Sequence, residues 1–106
     1  MVYEKHIIKG IEKFIEKLKK RIVVKRVIFF GSRTTKSFEE DSDIDLIIVS
    51  PNFEGKNFFD RVNEVYNYWE LDYPIDFLCY TPKEFNKLKK QISIITEALK
   101  QGVEIK

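Results

Sequence analysis

The residues best suited to chemistry lie in one stretch, where a glycine–serine pair ends one apolar run and two aspartates open the next. Gly31 and Ser32 follow the first run, and Asp43 and Asp45 flank the start of the second. Glycine lets the backbone turn sharply beside a phosphate, and the amides of a following short helix can point at an anion. Carboxylates are the ligands that Mg²⁺ prefers. The stretch predicts phosphate and metal binding at one edge of a sheet.

The spacing of the two aspartates suits a pair of metal ions. Residues two apart in a strand point to the same side, about 6.6 Å apart along the chain. Asp43 and Asp45 therefore present two carboxylates on one face, and two Mg²⁺ ions about 3.5–4 Å apart can be bridged by such a pair. No histidine is needed for this ligand set. Together with the glycine–serine turn, the pair predicts metal-dependent nucleotidyl transfer.

Asp76, in a later apolar run, is the third candidate carboxylate. A carboxylate among apolar neighbours is costly unless its charge is compensated, and a metal ion would compensate it. Asp76 would then complete the site, the alternative being a partly exposed edge residue. Asp43-x-Asp45 alone is more often a polar turn leading into a strand. Arg33 has two equal interpretations, a contact with phosphates or an ion pair with the acidic turn Glu39–Asp41.

The elements that must position these residues follow from hydrophobic periodicity. β-Branched and aromatic runs predict strands at 23–30, 44–49 and 75–80, with a short edge strand at 103–105. Helical spacing predicts a first amphipathic helix on Ile7, Ile8, Ile11, Phe14, Ile15 and Leu18. It predicts a second helix on Phe58, Phe59, Val62, Val65, Tyr66 and Trp69. The order predicts an α/β fold, a small mixed β-sheet with helices packed on it.

Turn and capping residues complete the predicted organisation. Thr81-Pro82-Lys83-Glu84 has the form of a capping box and predicts a third helix. A short helical segment is expected at 32–38 and a further helix at 94–99, ending before Gly102. Cys79 alternates with Ile75 and Phe77 on one strand face, which predicts a small, buried hydrophobic residue.

Composition bounds the class of protein. The 106 residues predict one domain over 1–106, and 43% hydrophobic with 34% charged residues is typical of a soluble globular chain. No apolar run has the length of a membrane span, and no signal peptide is recognisable. A single cysteine fits the reducing cytoplasm.

The net charge of +2 does not identify a partner. The basic residues are clustered at Lys17–Arg26 and Lys83–Lys90. We interpret both clusters as solvated helix faces, and the alternative is contact with nucleic acid or an acidic protein.

Gly31-Ser32-x10-Asp43-x-Asp45, with Asp76 on a later strand, resembles the DNA polymerase β-like nucleotidyltransferase superfamily. Within it, the chain is similar to the minimal nucleotidyltransferases (MNT proteins), a likeness that includes the Tyr80–Phe85 segment. The resemblance implies that Asp43, Asp45 and Asp76 bind two Mg²⁺ ions, with Mn²⁺ as the alternative. Asp76 would also help to deprotonate the acceptor hydroxyl. Gly31 and Ser32, with Arg33 as a candidate, would hold the phosphates of ATP or another nucleoside triphosphate.

The predicted catalytic layer uses the whole sequence, so we expect the acceptor surface to come from another polypeptide or a second copy. The resemblance implies an antitoxin that transfers AMP to a tyrosine of a helical HEPN toxin. One alternative is a free-standing transferase acting on a small hydroxylated molecule or an RNA end. Another is a non-catalytic module that binds its partner. Membrane association and direct nucleic-acid binding are not expected.

Overall fold

The computed structural model of the protein describes residues 5–30, 44–72, 74–91 and 102–105. These residues contain three α-helices and four strands. The helices are α1 (Lys5–Lys19), α2 (Phe58–Tyr66) and α3 (Pro82–Leu88), and the strands are β1 (Arg26–Phe30), β2 (Ile44–Val49), β3 (Ile75–Tyr80) and β4 (Val103–Ile105). A short 3₁₀ helix, Pro51–Phe53, follows β2.

The strands form one mixed sheet in the order β3-β2-β1-β4. The β1 strand is antiparallel to both β2 and β4, whereas β2 and β3 run parallel and in register from Ile44–Ile75 to Val49–Tyr80. Both faces of β2 are covered, which is why its sequence is almost continuously apolar. The predicted mixed α/β architecture is confirmed, as is the prediction of β2 as a central strand.

Alternation along the strands divides the core into two clusters. On one face, Leu46, Phe29 and Phe77 pack with α1, α2 and the segment that follows α2. On the other face, Ile28, Ile47 and Val49 pack with Phe85 of α3, and Leu78, Tyr80 and Leu88 contact this cluster. Each face therefore carries its own apolar set, and a one-residue slip of a strand would exchange the two sets.

A buried arginine joins α2 to α3. The guanidinium of Arg61, whose residue is 8% exposed, donates to both carboxylate oxygens of Glu84 at 2.6 and 3.1 Å and to the Cys79 carbonyl at 3.1 Å. Glu84 also accepts from the backbone N–H of Thr81, and the Thr81 hydroxyl accepts from the Glu84 N–H. The predicted capping box is thus confirmed, and Arg61 ties it to the neighbouring helix.

Two element predictions were wrong in detail. The first strand begins at Arg26 rather than at residue 23, since Val23 is 51% exposed and its backbone N–H donates to the Asn52 side chain. The second helix ends at Tyr66, so Trp69 packs on the core from the turn beyond it. Phe58 and Phe59 were expected on its apolar side but are 48% and 71% exposed. Helical spacing predicted that α2 is amphipathic, but it did not show which residues of the apolar side the sheet covers.

Other predictions have different outcomes. The first helix and the strands 44–49, 75–80 and 103–105 are confirmed. The helical segments at 32–38 and 94–99 lie outside the described residues, and a single domain over 1–106 stays a prediction. None of the helices that the structure describes combines the length and hydrophobicity needed to span a bilayer.

The Arg61–Glu84 pair predicts a pH-dependent contribution to stability. Hydrogen bonds from Arg61 lower the pKa of Glu84 from its usual 4.5. A lowered folded-state pKa means that the stabilisation is present above the usual pKa and is lost as pH falls through the folded-state value. We expect Glu84→Gln to lower the free energy of unfolding by about 1.5 kcal/mol at pH 7, a low value for a charged hydrogen bond because the Glu84 side chain is 43% exposed.

Urea unfolding of the wild type and Glu84→Gln at pH 7 and at decreasing pH below 4.5 measures this contribution. Glu70→Gln is the matched control, since Glu70 pairs with Lys17 but its side chain is 73% exposed. An equal loss in Glu70→Gln, or a difference between wild type and Glu84→Gln that does not shrink at low pH, would contradict the prediction.

Candidate active site

Asp45 and Asp76 lie next to each other at one edge of the sheet. They are register partners on the parallel strands β2 and β3, and each is the second residue of its strand. Side chains of in-register partners point to the same face of the sheet, and neighbouring strands are about 4.8 Å apart. Phe30, the last residue of β1, is the antiparallel partner of Asp45. The structure therefore brings two predicted site carboxylates together at the edge where β1 ends, immediately before Gly31 in the sequence.

The premise that Asp76 is buried among its apolar neighbours was wrong, and the alternative interpretation, an exposed residue on an edge strand, describes its position. Asp76 is exposed and Asp45 is half-buried. Asp76 lies between Ile75 and Phe77, which face the core formed with α1 and α2, so its own side chain points to the opposite face of the sheet. It is near the start of β3, an edge strand of the described sheet. Its carboxylate does not need a metal ion to offset burial. The case for metal binding must rest on its position beside Asp45.

The remaining predicted site residues lie outside the described residues. These are Gly31, Ser32, Arg33 and Asp43. Within the described ranges, no group of three or more His, Cys, Asp or Glu side chains is arranged to hold a metal ion. Asp43, the third carboxylate of the predicted set, is two residues before Asp45 and lies outside those ranges.

Cys79 is excluded as a nucleophile by its surroundings. It is fully buried in the core beside Phe77, and burial raises the pKa of its thiol to about 12. The thiolate is the reactive form of cysteine, so a protonated, buried thiol is inert. The predicted structural role of Cys79 is confirmed.

Sequence reasoning missed Arg61, the charged residue that fixes α2 against α3. A signal for it was present, because Arg61 follows Phe58 by three positions and precedes Val65 by four. Residues at these spacings share a helix face. A charge buried on that face needs a partner of opposite charge, and Glu84 of the predicted capping box supplies it. The pair holds α3 at the C-terminal end of β3, far along the strand from Asp76.

Residues 11–100 match the Nucleotidyltransferase domain family. The match spans most of the chain and includes Gly31, Ser32, Asp43, Asp45 and Asp76. The chain therefore belongs to the nucleotidyltransferase domain family, within the polymerase β-like superfamily. No curated protein has significant sequence similarity to it.

The fold is similar to that of several solved structures. A candidate nucleotidyltransferase from Sulfolobus solfataricus superposes with a TM-score of 0.66 at 21% identity, covering 93% of this chain and 78% of that one. BolA1 from Arabidopsis thaliana gives a TM-score of 0.55 at 28% identity, covering 71% of this chain and 94% of that one. BolA1 does not carry the name nucleotidyltransferase, so similarity of fold alone does not specify a function.

The donor set at the sheet edge fits a divalent cation. Nucleotidyltransferases of this superfamily generally use divalent metals. Asp45 and Asp76 supply carboxylate oxygens, the hard ligands that Mg²⁺ and Mn²⁺ prefer. Like charges on paired positions of neighbouring strands are destabilising. A cation beside Asp45 and Asp76 would remove that repulsion.

This arrangement predicts stabilisation by divalent cations. A ligand that binds only the folded chain adds about 2.7 kcal/mol at 100 times its dissociation constant. We expect Mg²⁺ or Mn²⁺ to raise the melting temperature of the wild type, and Asp45→Asn or Asp76→Asn to abolish most of the rise. Without divalent cations, Asp76→Asn should be at least as stable as the wild type, because it removes the repulsion.

Thermal unfolding with EDTA and with increasing metal concentration measures both effects. Asp60→Asn is the control, because Asp60 is an exposed carboxylate in the first turn of α2, and its neighbour Arg61 contacts Cys79 near the C-terminal end of β3, away from Asp76. An undiminished metal response in both site variants would show that the cation binds elsewhere.

Proposed function

We propose that the chain catalyses metal-dependent transfer of a nucleoside monophosphate, with AMP from ATP as the first candidate, to a hydroxyl acceptor. The observation that carries the proposal is the in-register placement of Asp45 beside Asp76, in a chain that belongs to the nucleotidyltransferase domain family. Within this proposal, Asp43 joins the pair as the third carboxylate.

The proposed reaction is an in-line displacement. The acceptor oxygen attacks the α-phosphorus, the bond to the bridging oxygen of the β-phosphate breaks, and pyrophosphate leaves with the bonding electrons. Asp76 is assigned the acceptor proton because it is the exposed member of the pair, and a positioned carboxylate can act as a general base. Asp45 and Asp43 are assigned the metal ions that would hold the triphosphate. Gly31 and Ser32 hold its β- and γ-phosphates, with Arg33 as a further candidate.

In this assignment, Asp43, Asp45 and Asp76 would be the ligands of the metal ions. When bound, Mg²⁺ would neutralise charge on the triphosphate and on the attacking and departing oxygens. Mn²⁺ is the alternative, since it also prefers carboxylate ligands.

For the acceptor, the first candidate is a tyrosine hydroxyl of a HEPN-family toxin, which would make this chain an antitoxin. The support is the sequence resemblance to MNT proteins, including the Tyr80–Phe85 segment, whose Thr81–Glu84 capping box forms in the structure. A cytoplasmic location fits this proposal. A free-standing transferase that modifies a small molecule or an RNA end remains the alternative.

Loss of either carboxylate should strongly reduce the rate of transfer. We expect Asp45→Asn and Asp76→Asn each to lower the rate at least about 100-fold, because positioned acid–base groups and metal ligands contribute factors of this size or more. The measurement is transfer of label from [α-³²P]ATP, with Asp60→Asn as the control. Full activity in both site variants would reject the proposed site.

The acceptor is tested in the same assay with three substrates side by side. They are the HEPN protein encoded nearest to the gene, a set of hydroxylated aminoglycosides, and an RNA oligonucleotide with a free 3′ end. We expect label on the HEPN protein and a mass gain of one or more AMP units. Label on an aminoglycoside or on RNA would favour the free-standing transferase. Toxin neutralisation that survives Asp43→Ala with Asp45→Ala would favour a non-catalytic module.

A further inference from the structure

A groove between α2 and α3 lies at the C-terminal end of β3, away from the carboxylate edge. Its volume is about 470 Å³. The residues that matter for its chemistry are Phe58, Arg61, Tyr80, Glu84, Lys87 and Leu88. We call this site the α2–α3 groove.

The groove has a neutral base and an apolar portion, and Lys87 lines it as well. Arg61 and Glu84 satisfy each other through two hydrogen bonds, so neither charge requires a ligand. Phe58 is 48% exposed beside them, and Leu88 and Tyr80 are only partly buried. A partner that fills the groove would therefore gain apolar contacts without having to match a buried charge.

A row of lysines borders the groove on one side. Lys83, Lys87 and Lys90 are spaced by four and three positions, so they share one side of α3 and the turn after it. All three are exposed, and among the described residues none has a carboxylate partner. Glu84, the acidic residue of α3, is turned to Arg61 instead. Lys87 belongs to both the row and the groove, which makes the two surfaces continuous.

We propose that the α2–α3 groove and the lysine row together dock an acidic amphipathic helix of a second protein. Its apolar side chains would contact Phe58 and Leu88, and its carboxylates would face the lysine row. Helices bind grooves between helices through such apolar anchors, and complementary charge sets partner choice and orientation.

The chemistry of the surface favours a protein helix over nucleic acid. Arginine, which recognises phosphates and stacks on bases better than lysine, does not occur in the row. The arginine that lines the groove, Arg61, is held by Glu84. An apolar groove suits aliphatic side chains, whereas single-stranded nucleic acid needs a series of stacking aromatics along a basic channel.

The docking proposal is independent of the proposed transfer reaction, because binding is measured without nucleotide or metal. The probe is an unbiased library of displayed helical peptides, selected against the full chain. We expect the selected peptides to carry apolar residues at helical spacing flanked by Asp and Glu. Their dissociation constants should rise with salt. The triple variant Lys83→Glu, Lys87→Glu, Lys90→Glu should weaken binding at least about tenfold, and Phe58→Ala should do likewise.

The matched control is the triple variant Lys13→Glu, Lys19→Glu, Lys20→Glu, which makes the same charge change on exposed lysines around α1. It should bind the peptides as the wild type does, and circular dichroism checks that every variant is folded. The proposal is overturned if selection yields no binders, basic or neutral binders, or binders equally sensitive to the control triple. Tighter binding of a single-stranded oligouridylate through the lysine row would overturn it in favour of nucleic acid.

Discussion

The parallel, in-register pairing of β2 with β3 is the constraint on which the candidate site depends. Six consecutive pairs join the strands, from Ile44–Ile75 to Val49–Tyr80, and one of them is Asp45–Asp76. Because side chains alternate with a period of two, a slip by one residue would turn the partner's carboxylate to the other face. It would also expose Phe77 and Cys79, which are buried in the core. Burial of the apolar set therefore holds the two carboxylates together.

The opposite end of β3 is fixed by different interactions. Thr81 caps α3 as the strand ends, and Glu84 connects this cap to Arg61 of α2. Phe85 then packs over Ile47 and Val49, toward the C-terminal half of β2. The apolar contacts of α3 are thus made away from Asp45 and Asp76. Because α3 begins where β3 ends, it covers the C-terminal end of the strand, and Asp76 near the N-terminal end stays exposed.

Local patterns in the sequence were sufficient to predict much of the fold. The continuous apolar run of β2 predicted a central strand, and the Thr81–Glu84 spacing predicted a capping box; both are confirmed. The exposure of Phe58 and Phe59 could not be predicted, because helical spacing does not show how wide a face the sheet covers. Asp76 was misjudged for a related reason: its apolar neighbours lie on the other side of the pleat. Strand order and register require non-local information that no single segment contains.

Charge distinguishes the two ends of β3. Asp76 and Tyr80 are four residues apart, about 13 Å along a strand, which exceeds the screening length of about 8 Å at physiological ionic strength. An acidic helix would be attracted to the lysine row, and the carboxylates, which lie beyond the screening length, would have little effect on its binding there. Cations at Asp45 and Asp76 would change the charge at that end of β3 and leave the lysine row unchanged. If both proposals hold, the surface that selects a protein partner is separate from the edge that handles the triphosphate.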